Sequence, residues 1–251
     1  MDNYNNSQVS KDIFYDSDGL KYTNDTVFRG ICETSKIVST SIGNSVGNIG
    51  DGVAALSNVI VYGSDMCCNT RTCKPSWIVV HYTAGGSSKR GAAKRTCEFW
   101  INKKLKGEKT GSADFIVDDE ETYQFTKNVD TYYTWNCGDA ISRNGPTHPK
   151  GGAYKSRVGN RNSIGIELCS TFTSGYGSSN SPNHRGWSYS NAVYRRGIEL
   201  IRGLMAKYSI PKSNIVRHYD VTGKRCPGIP GWNPEPGSND ETQWYAFLSR
   251  I

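Results

Sequence analysis

The stretch WIVVHYTAGG, residues 77–86, decides the fold class of this chain. Its first six residues are β-branched, aromatic or otherwise apolar apart from His81, and turn-forming residues with two glycines follow directly. A short apolar run that ends in this way predicts a buried β-strand. Downstream of it, strand-like and helix-like segments alternate, which is typical of an α/β layered domain.

Periodicity and turn residues divide the rest of this region into elements. Helices are predicted from Ser87 to about Lys103, from Ser190 to Tyr208 and from about Asp240 to Ser249, and strands at residues 113–117, 122–125, 163–169 and 215–217. In strand 163–169, Ile164, Ile166 and Leu168 share one face, whereas Gly165, Glu167 and Cys169 share the other. Two long polar loops, residues 138–160 and 170–186, interrupt the pattern, and loops of this length in a compact domain tend to be functional.

The N-terminal part differs in composition, and a domain boundary is predicted near Lys74-Pro75. Residues 1–25 are polar and rich in Asn and Asp. From Ile42 to Ile60, apolar residues recur at alternating spacings of four and three, a heptad-like helical stripe. Glycines inside the stripe each cost about 1 kcal/mol relative to alanine, so this helix needs a partner surface on its own domain, a second copy or a larger assembly. Residues 1–75 are therefore predicted to be a small, mostly helical or irregular segment for anchoring, targeting or oligomerisation, and residues 76–251 the main domain.

The charge lies mainly in the C-terminal part. Thirty Lys and Arg against 23 Asp and Glu give a net charge of +7, and residues 76–251 carry 24 of the former and 15 of the latter. A basic surface concentrates anionic partners such as nucleic acid, acidic lipid or an anionic cell-wall polymer. The chain has no run of five like charges, which disfavours a nucleic-acid tail, and its longest apolar stretch, residues 53–62, is shorter than the roughly 20 residues of a membrane span.

The start of the chain has neither a positive charge nor an apolar core of a signal peptide. Synthesis in a cytoplasm is therefore expected. Among the eight cysteines, Cys67, Cys68 and Cys73 form the only cluster. A structural metal or a local disulfide is one interpretation of this cluster, but reduced thiols are favoured in a chain of this length without an export signal.

Two of the four histidines, His81 and His218, lie at the ends of predicted strands, and Cys226 follows His218 after seven intervening residues. Two imidazoles and a thiolate are ligands that zinc prefers, and a catalytic zinc site uses three protein ligands and leaves a fourth position for water. On spacing alone the signal for a metal site is modest, and side chains without a metal are the commoner interpretation.

Four motifs occur in a fixed order: HYTAG at residues 81–85, SADFIVDD at 112–119, N-x-x-SIGIEL at 160–168 and H-x5-K-x-CPG at 218–228. Together they resemble the zinc-dependent N-acetylmuramoyl-L-alanine amidases, the amidase type 2 group shared by phage lysins, bacterial cell-wall amidases and peptidoglycan recognition proteins. The resemblance spans about residues 76–250. It implies a mixed central β-sheet flanked by helices, with zinc in a groove that accepts the glycan-linked peptide stem.

Carried over by position, the resemblance implies that His81, His218 and Cys226 are the zinc ligands. Glu167 matches the catalytic glutamate, and Lys224 matches the basic residue two places before the last ligand. Taken alone, Glu167 could be a solvated strand carboxylate and Lys224 an ordinary surface lysine.

This chain departs from the family at Ala113 and Asp114, where many relatives carry Tyr or His, and Glu167 is therefore the candidate base. Four further residues are weaker candidates for substrate binding: Trp135, Asn136, Thr83 and Asn160. His148 and His184, in the long loops, are predicted to be surface residues.

The resemblance implies hydrolysis of the amide between N-acetylmuramic acid and L-alanine of the peptidoglycan stem by zinc-activated water. The expected setting is a phage or prophage endolysin, released to the wall by host lysis with a holin, or a virion-associated lysin attached through residues 1–75. The alternatives are a non-catalytic peptidoglycan-binding module and a structural virion component that carries a wall-degrading domain. The presence of Cys226, Glu167 and Lys224 favours the enzyme.

Overall fold

The computed structural model describes residues 13–15, 21–23, 56–138, 151–174, 185–234 and 239–251. The chain forms two compact units, residues 1–45 and 46–251. In the first unit, β1 (Ile13–Tyr15) and β2 (Lys21–Thr23) pair in antiparallel fashion, where helical or irregular chain was expected. Most of the apolar stripe, up to residue 55, lies outside the described residues, and the role assigned to residues 1–75 stays a prediction.

The second unit alternates strands and helices, as the sequence predicts. Its strands are β3 (Ile60–Ser64), β4 (Cys68–Thr70), β5 (Trp77–Tyr82), β6 (Phe115–Val117), β7 (Thr122–Thr126), β8 (Tyr132–Thr134), β9 (Ser163–Leu168), β10 (Thr171–Phe172), β11 (Trp187–Ser188) and β12 (Ile215–Arg217). Its helices are α1 (Ala92–Leu105), α2 (Asn191–Tyr208), α3 (His218–Thr222) and α4 (Thr242–Ser249), with 3-10 turns at Asn160–Asn162 and Lys212–Asn214.

Six strands form the central sheet in the order β12-β5-β9-β6-β7-β3. The first four are parallel, β7 is antiparallel to β6, and β3 is parallel to β7. The predicted mixed sheet flanked by helices is thus confirmed. Edge strand β3 lies before the boundary expected near Lys74-Pro75, and Ile60 is its first residue rather than the last position of a helical stripe.

The two faces of the sheet have cores of different size. Helices α1, α2 and α4 cover the face that carries the even-numbered apolar residues of β5 and β9, where the larger core lies. The opposite face has a smaller core around Trp77, Val79, Val216 and Val221. His81 has the same strand parity as Trp77 and Val79, so the histidine lies at the end of the thinly covered face.

Local capping explains where the two long helices begin. Ser190 caps α2 as predicted, because its Oγ accepts a hydrogen bond from the Val193 amide at 3.1 Å. Helix α1 starts at Ala92, five residues after the expected Ser87, because the Ser88 hydroxyl bonds to Asp119 instead. No helix within the described ranges is long and apolar enough to cross a membrane.

Candidate metal centre and catalytic cleft

Strand register brings the predicted site residues together. In the parallel pair of β5 and β9, His81 is directly opposite Glu167, so both side chains leave the same face of the sheet. On the other side of β5, Arg217 of β12 is opposite Val80. The next residue, His218, begins α3 beside the end of β5.

His81, His218 and Cys226 form a compact buried group. One ligand atom from each lies within 4.8 Å of the others, the Cys226 Sγ is 3.5 Å from His81 Nδ1, and the imidazole centroids are 4.8 Å apart. The chain turns back to the site after α3 because Gly223, the residue that follows the helix, has a φ of +78°, which suits glycine. The Tyr219 amide then donates to the Cys226 carbonyl at 3.0 Å.

The chemistry of these donors fits a metal ion. His81 Nε2 and His218 Nδ1 are buried and lack hydrogen-bond partners. Burial lowers the pKa of His218 to about 3 and that of His81 well below its usual value, so both rings are neutral, the form that binds metal. Burial also raises the pKa of the Cys226 thiol to about 12, and a coordinated cation would stabilise the thiolate. Among the described residues, no second group of three or more metal-ligating side chains is found.

Glu167 supplies the carboxylate of this site. Its pKa is raised to about 7 by burial, with the nearby Lys224 acting in the opposite direction. Its Oε2 is buried without a hydrogen-bond partner. A carboxyl group that titrates near neutrality is suited to accept and return a proton.

The site opens into a cleft of about 400 Å³. The lining residues are His81, Tyr82, Thr83, Ala84, Phe99, Trp100, Lys103, Lys109, Thr110, Gly111, Ser112, Trp135, Asn136, Glu167, His218, Lys224, Arg225 and Cys226. All predicted site residues except Asn160 are therefore brought to one cleft.

Asn160 has a different place. Its Oδ1 accepts hydrogen bonds from the amides of Cys137 and Gly138, both at 2.9 Å, and the residue lines a second cavity. It therefore holds the loop that carries Trp135 and Asn136, and the predicted contact with substrate stays a prediction.

Gly165 makes room for Asn136 above the sheet. A Cβ at Gly165 would lie 2.5 Å from the Asn136 Cβ and 2.9 Å from its Cγ, well inside van der Waals contact. Asn136 also donates to the Ser163 hydroxyl at 3.2 Å. The glycine in the SIGIEL motif thus allows a cleft residue to pack directly on β9.

A buried ion pair behind β9, between Arg71 and Asp114, was not predicted from the sequence. The Asp114 carboxylate accepts hydrogen bonds from the Gly165 amide at 2.8 Å and the Thr134 hydroxyl at 2.9 Å, and it lies 3.8 Å from the Arg71 guanidinium. Both charged side chains are almost completely buried. The acidic residue inside the largely apolar segment SADFIV could have indicated this pair, because a buried charge needs a partner.

The described cysteines are all free thiols. In the Cys67, Cys68, Cys73 cluster, the Cys67 thiol donates to the Trp100 carbonyl and the Cys73 thiol to the Arg161 carbonyl. His148 and His184 lie outside the described residues.

Comparison with known proteins agrees with this geometry. Residues 71–229 match the sequence model of the Amidase_2 family, N-acetylmuramoyl-L-alanine amidase. The N-acetylmuramoyl-L-alanine amidase CwlH of Bacillus subtilis (strain 168) is 32% identical over 161 residues, which are 63% of this chain and 50% of CwlH. XlyA of the same strain, also an N-acetylmuramoyl-L-alanine amidase, is 32% identical over 154 residues, 61% of this chain and 39% of XlyA.

The solved structure of the catalytic domain of XlyA is 26% identical, with a TM-score of 0.50, and the match covers 77% of this chain and 99% of that domain. The chain spans half or less of the length of these two curated relatives. The family match itself covers more than half of the chain. The protein therefore belongs to the amidase type 2 family of N-acetylmuramoyl-L-alanine amidases.

Proposed function

We propose that the protein is a peptidoglycan hydrolase that cleaves the amide between N-acetylmuramic acid and the L-alanine of the stem peptide. The observation that carries this proposal is the convergence of two neutral imidazoles, one thiol and the Glu167 carboxyl in one cleft of a member of this family. CwlH and XlyA both bear the name of this activity.

The proposed cofactor is zinc, held by His81, His218 and Cys226, since two nitrogen donors and one sulfur donor leave one position of a tetrahedral ion open. When bound, zinc would polarise the scissile carbonyl and lower the pKa of water. The protein's own part is to keep the imidazoles neutral by burial and to hold the two histidines at the end of β5 and the start of α3.

Glu167 is the proposed general base and acid. Its position opposite His81 in the sheet and the cleft that it shares with the three ligands support this role. There it can take a proton from the attacking water and return it to the leaving nitrogen, which an amide needs because the amine is a poor leaving group. Lys224, at the exposed rim of the cleft, would stabilise the negative charge that develops on the carbonyl oxygen.

Trp135 and Asn136 are proposed to contact the substrate from the loop next to β9. Asn136 is fixed by its packing on Gly165, and the Trp135 ring has the Lys104 ammonium 5.1 Å from its centroid. Thr83 has a supporting role, because its Oγ1 already accepts from the amides of Gly85 and Ser170, both at 3.3 Å.

We also propose the biological setting expected from the sequence: synthesis in a host cytoplasm and action on the bacterial wall, as an endolysin or a virion-associated lysin. The excess of positive charge in residues 76–251 supports attraction to an anionic wall. Self-association or virion attachment through residues 1–75 is part of this proposal. Its test is the oligomeric state of the full chain compared with a chain that begins at residue 46, where the second compact unit starts.

The test of the activity is digestion of purified peptidoglycan by the full chain, with added zinc and with a chelator. New L-alanine amino termini that disappear with the chelator and return with zinc are the expected result. New reducing sugar ends would instead identify a glycosidase. Binding to the wall without release of either end would favour the non-catalytic module.

A further inference from the structure

The cleft carries an excess of positive charge beyond what the proposed chemistry uses. Four cationic side chains line it, Lys103, Lys109, Lys224 and Arg225, against a single acidic one, Glu167. Lys103 is paired with Glu108 at 3.3 Å. For the other three, the described part of the chain provides no ion-pair partner. Like charges around one cavity repel each other and attract an anion.

Arg225 is the most confined of these cations. It is partly buried, and its Nη2 is fully buried without a hydrogen-bond partner. A buried N–H group that is left unpaired lowers stability. Arg225 also lines the cleft, so the N–H groups of its guanidinium other than the buried Nη2 are the ones that an acceptor in the cleft would contact. The side chain follows Lys224 and precedes the ligand Cys226 in the chain, so its backbone is fixed next to the reaction centre.

The guanidinium group favours one class of anion. Its planar fork of N–H groups matches the two oxygens of a carboxylate. The apolar and backbone atoms of such a ligand need a surface to pack on. Phe99, which is 55% exposed at the cleft, and Trp135 provide one. An acyl-peptide with a free carboxylate close to the cleaved amide fits this combination of apolar wall and unpaired cation.

We propose that Arg225, assisted by Lys109, binds a free carboxylate on the stem residue that follows L-alanine, so that the cleft discriminates against stems amidated at that carboxylate. This inference rests on the proposed function, because it concerns the same cleft and the same substrate. It assigns a specificity role to two residues outside the metal site and outside the proposed acid-base chemistry.

The test compares two muramyl dipeptides whose γ-carboxyl is blocked as a methylamide, one with D-glutamate and the other with D-isoglutamine as its second residue, as substrates of the zinc-loaded full chain. We expect kcat/KM to be about tenfold higher for the free acid, since one hydrogen bond to a charged group is involved. In Arg225→Gln the preference should fall to about twofold or less, and Lys109→Gln should reduce it partly. The matched control is Arg195→Gln, an exposed arginine of α2 that does not line the cleft, and it should keep the full preference.

Equal hydrolysis of the two dipeptides by the unaltered protein would overturn the inference and leave the proposed function intact. So would a preference that survives in Arg225→Gln. If neither dipeptide is hydrolysed, the proposed function fails on these substrates, and calorimetric binding of both to Glu167→Ala decides the inference separately. Tighter binding of the free acid supports it; equal binding, or no binding of the free acid, overturns it.

Discussion

Replacing Arg71 by alanine should be among the most destabilising single changes in this protein. Arg71 donates to the carbonyl oxygens of Val129, Tyr132, Arg161 and Ser163 at 2.6 to 3.2 Å. It is also the cation that faces the buried Asp114 carboxylate at 3.8 Å. Truncation therefore removes several charge-assisted hydrogen bonds and leaves an uncompensated buried acid.

Breaking a buried ion pair by removing one partner costs about 3–5 kcal/mol. For a domain of about 200 residues this corresponds to a fall in Tm of roughly 6–20 °C. The control is Lys127→Ala, because Lys127 pairs with Asp65 at a shorter distance, 2.8 Å, but both side chains are exposed. Exposed pairs contribute little, so the control should leave the denaturant midpoint almost unchanged.

The loss of stability in Arg71→Ala should also depend on pH. Burial raises the pKa of Asp114 to about 6 from its ordinary 3.8, and Arg71 opposes this rise. A folded-state pKa above the unfolded value means that the native protein binds the proton more tightly, so stability from this group is present below about pH 4 and is lost as pH rises through 6. Without Arg71 that pKa is higher still, and the loss extends to higher pH.

The difference in unfolding free energy between the unaltered protein and Arg71→Ala should therefore be smaller at pH 5 than at pH 8. Urea denaturation followed by tryptophan fluorescence at both pH values measures it. A cost no larger than that of Lys127→Ala, or one that does not change with pH, would refute the account of Arg71 and Asp114 as a coupled buried pair.

Three further changes test the site. Gly165→Ala should lower activity and stability markedly, because its Cβ would meet the Asn136 Cβ at 2.5 Å. The control Gly197→Ala should lose less stability, since there the nearest atom is a terminal methyl of Leu168 at 2.8 Å. Melting curves and wall-digestion assays on both variants compare them. Asn160→Ala should raise KM more than it lowers kcat, because it frees the amides of Cys137 and Gly138, and equal loss in both constants would count against this role. Glu167→Gln should abolish hydrolysis while one equivalent of zinc is retained by elemental analysis, and substantial residual hydrolysis would exclude Glu167 as the base.

The sequence predicted the elements that have strong local patterns. Strand 215–217 and the Ser190-capped helix agree with the structure, because β-branched runs and cap residues act locally. The start of α1 was wrong by five residues, since Ser88 is engaged by Asp119, a residue 31 positions away. A partner at that distance is not visible in local periodicity.

The metal group was predicted from motif order, and its assembly depends on register. The local sequence does not predict that His81 is opposite Glu167 in the sheet. From the sequence, Asp114 was noted only as a departure from the family pattern. Its role became clear from its contacts with the Gly165 amide and Arg71. The bonds of Asn160 to the loop amides were likewise not visible in the sequence, and its contact with substrate stays a prediction.

The pairing of β12 with β5 has a consequence for synthesis, because the ribosome makes the chain from its N-terminus. A nascent chain that ends before Ile215 carries one of the three donors, and the edge strand that delivers the second has yet to pair with β5. The donor triad is thus complete only after the segment from Ile215 to Cys226 has been made and folded. Truncated products of incomplete translation or proteolysis that lack this region cannot assemble the donor triad.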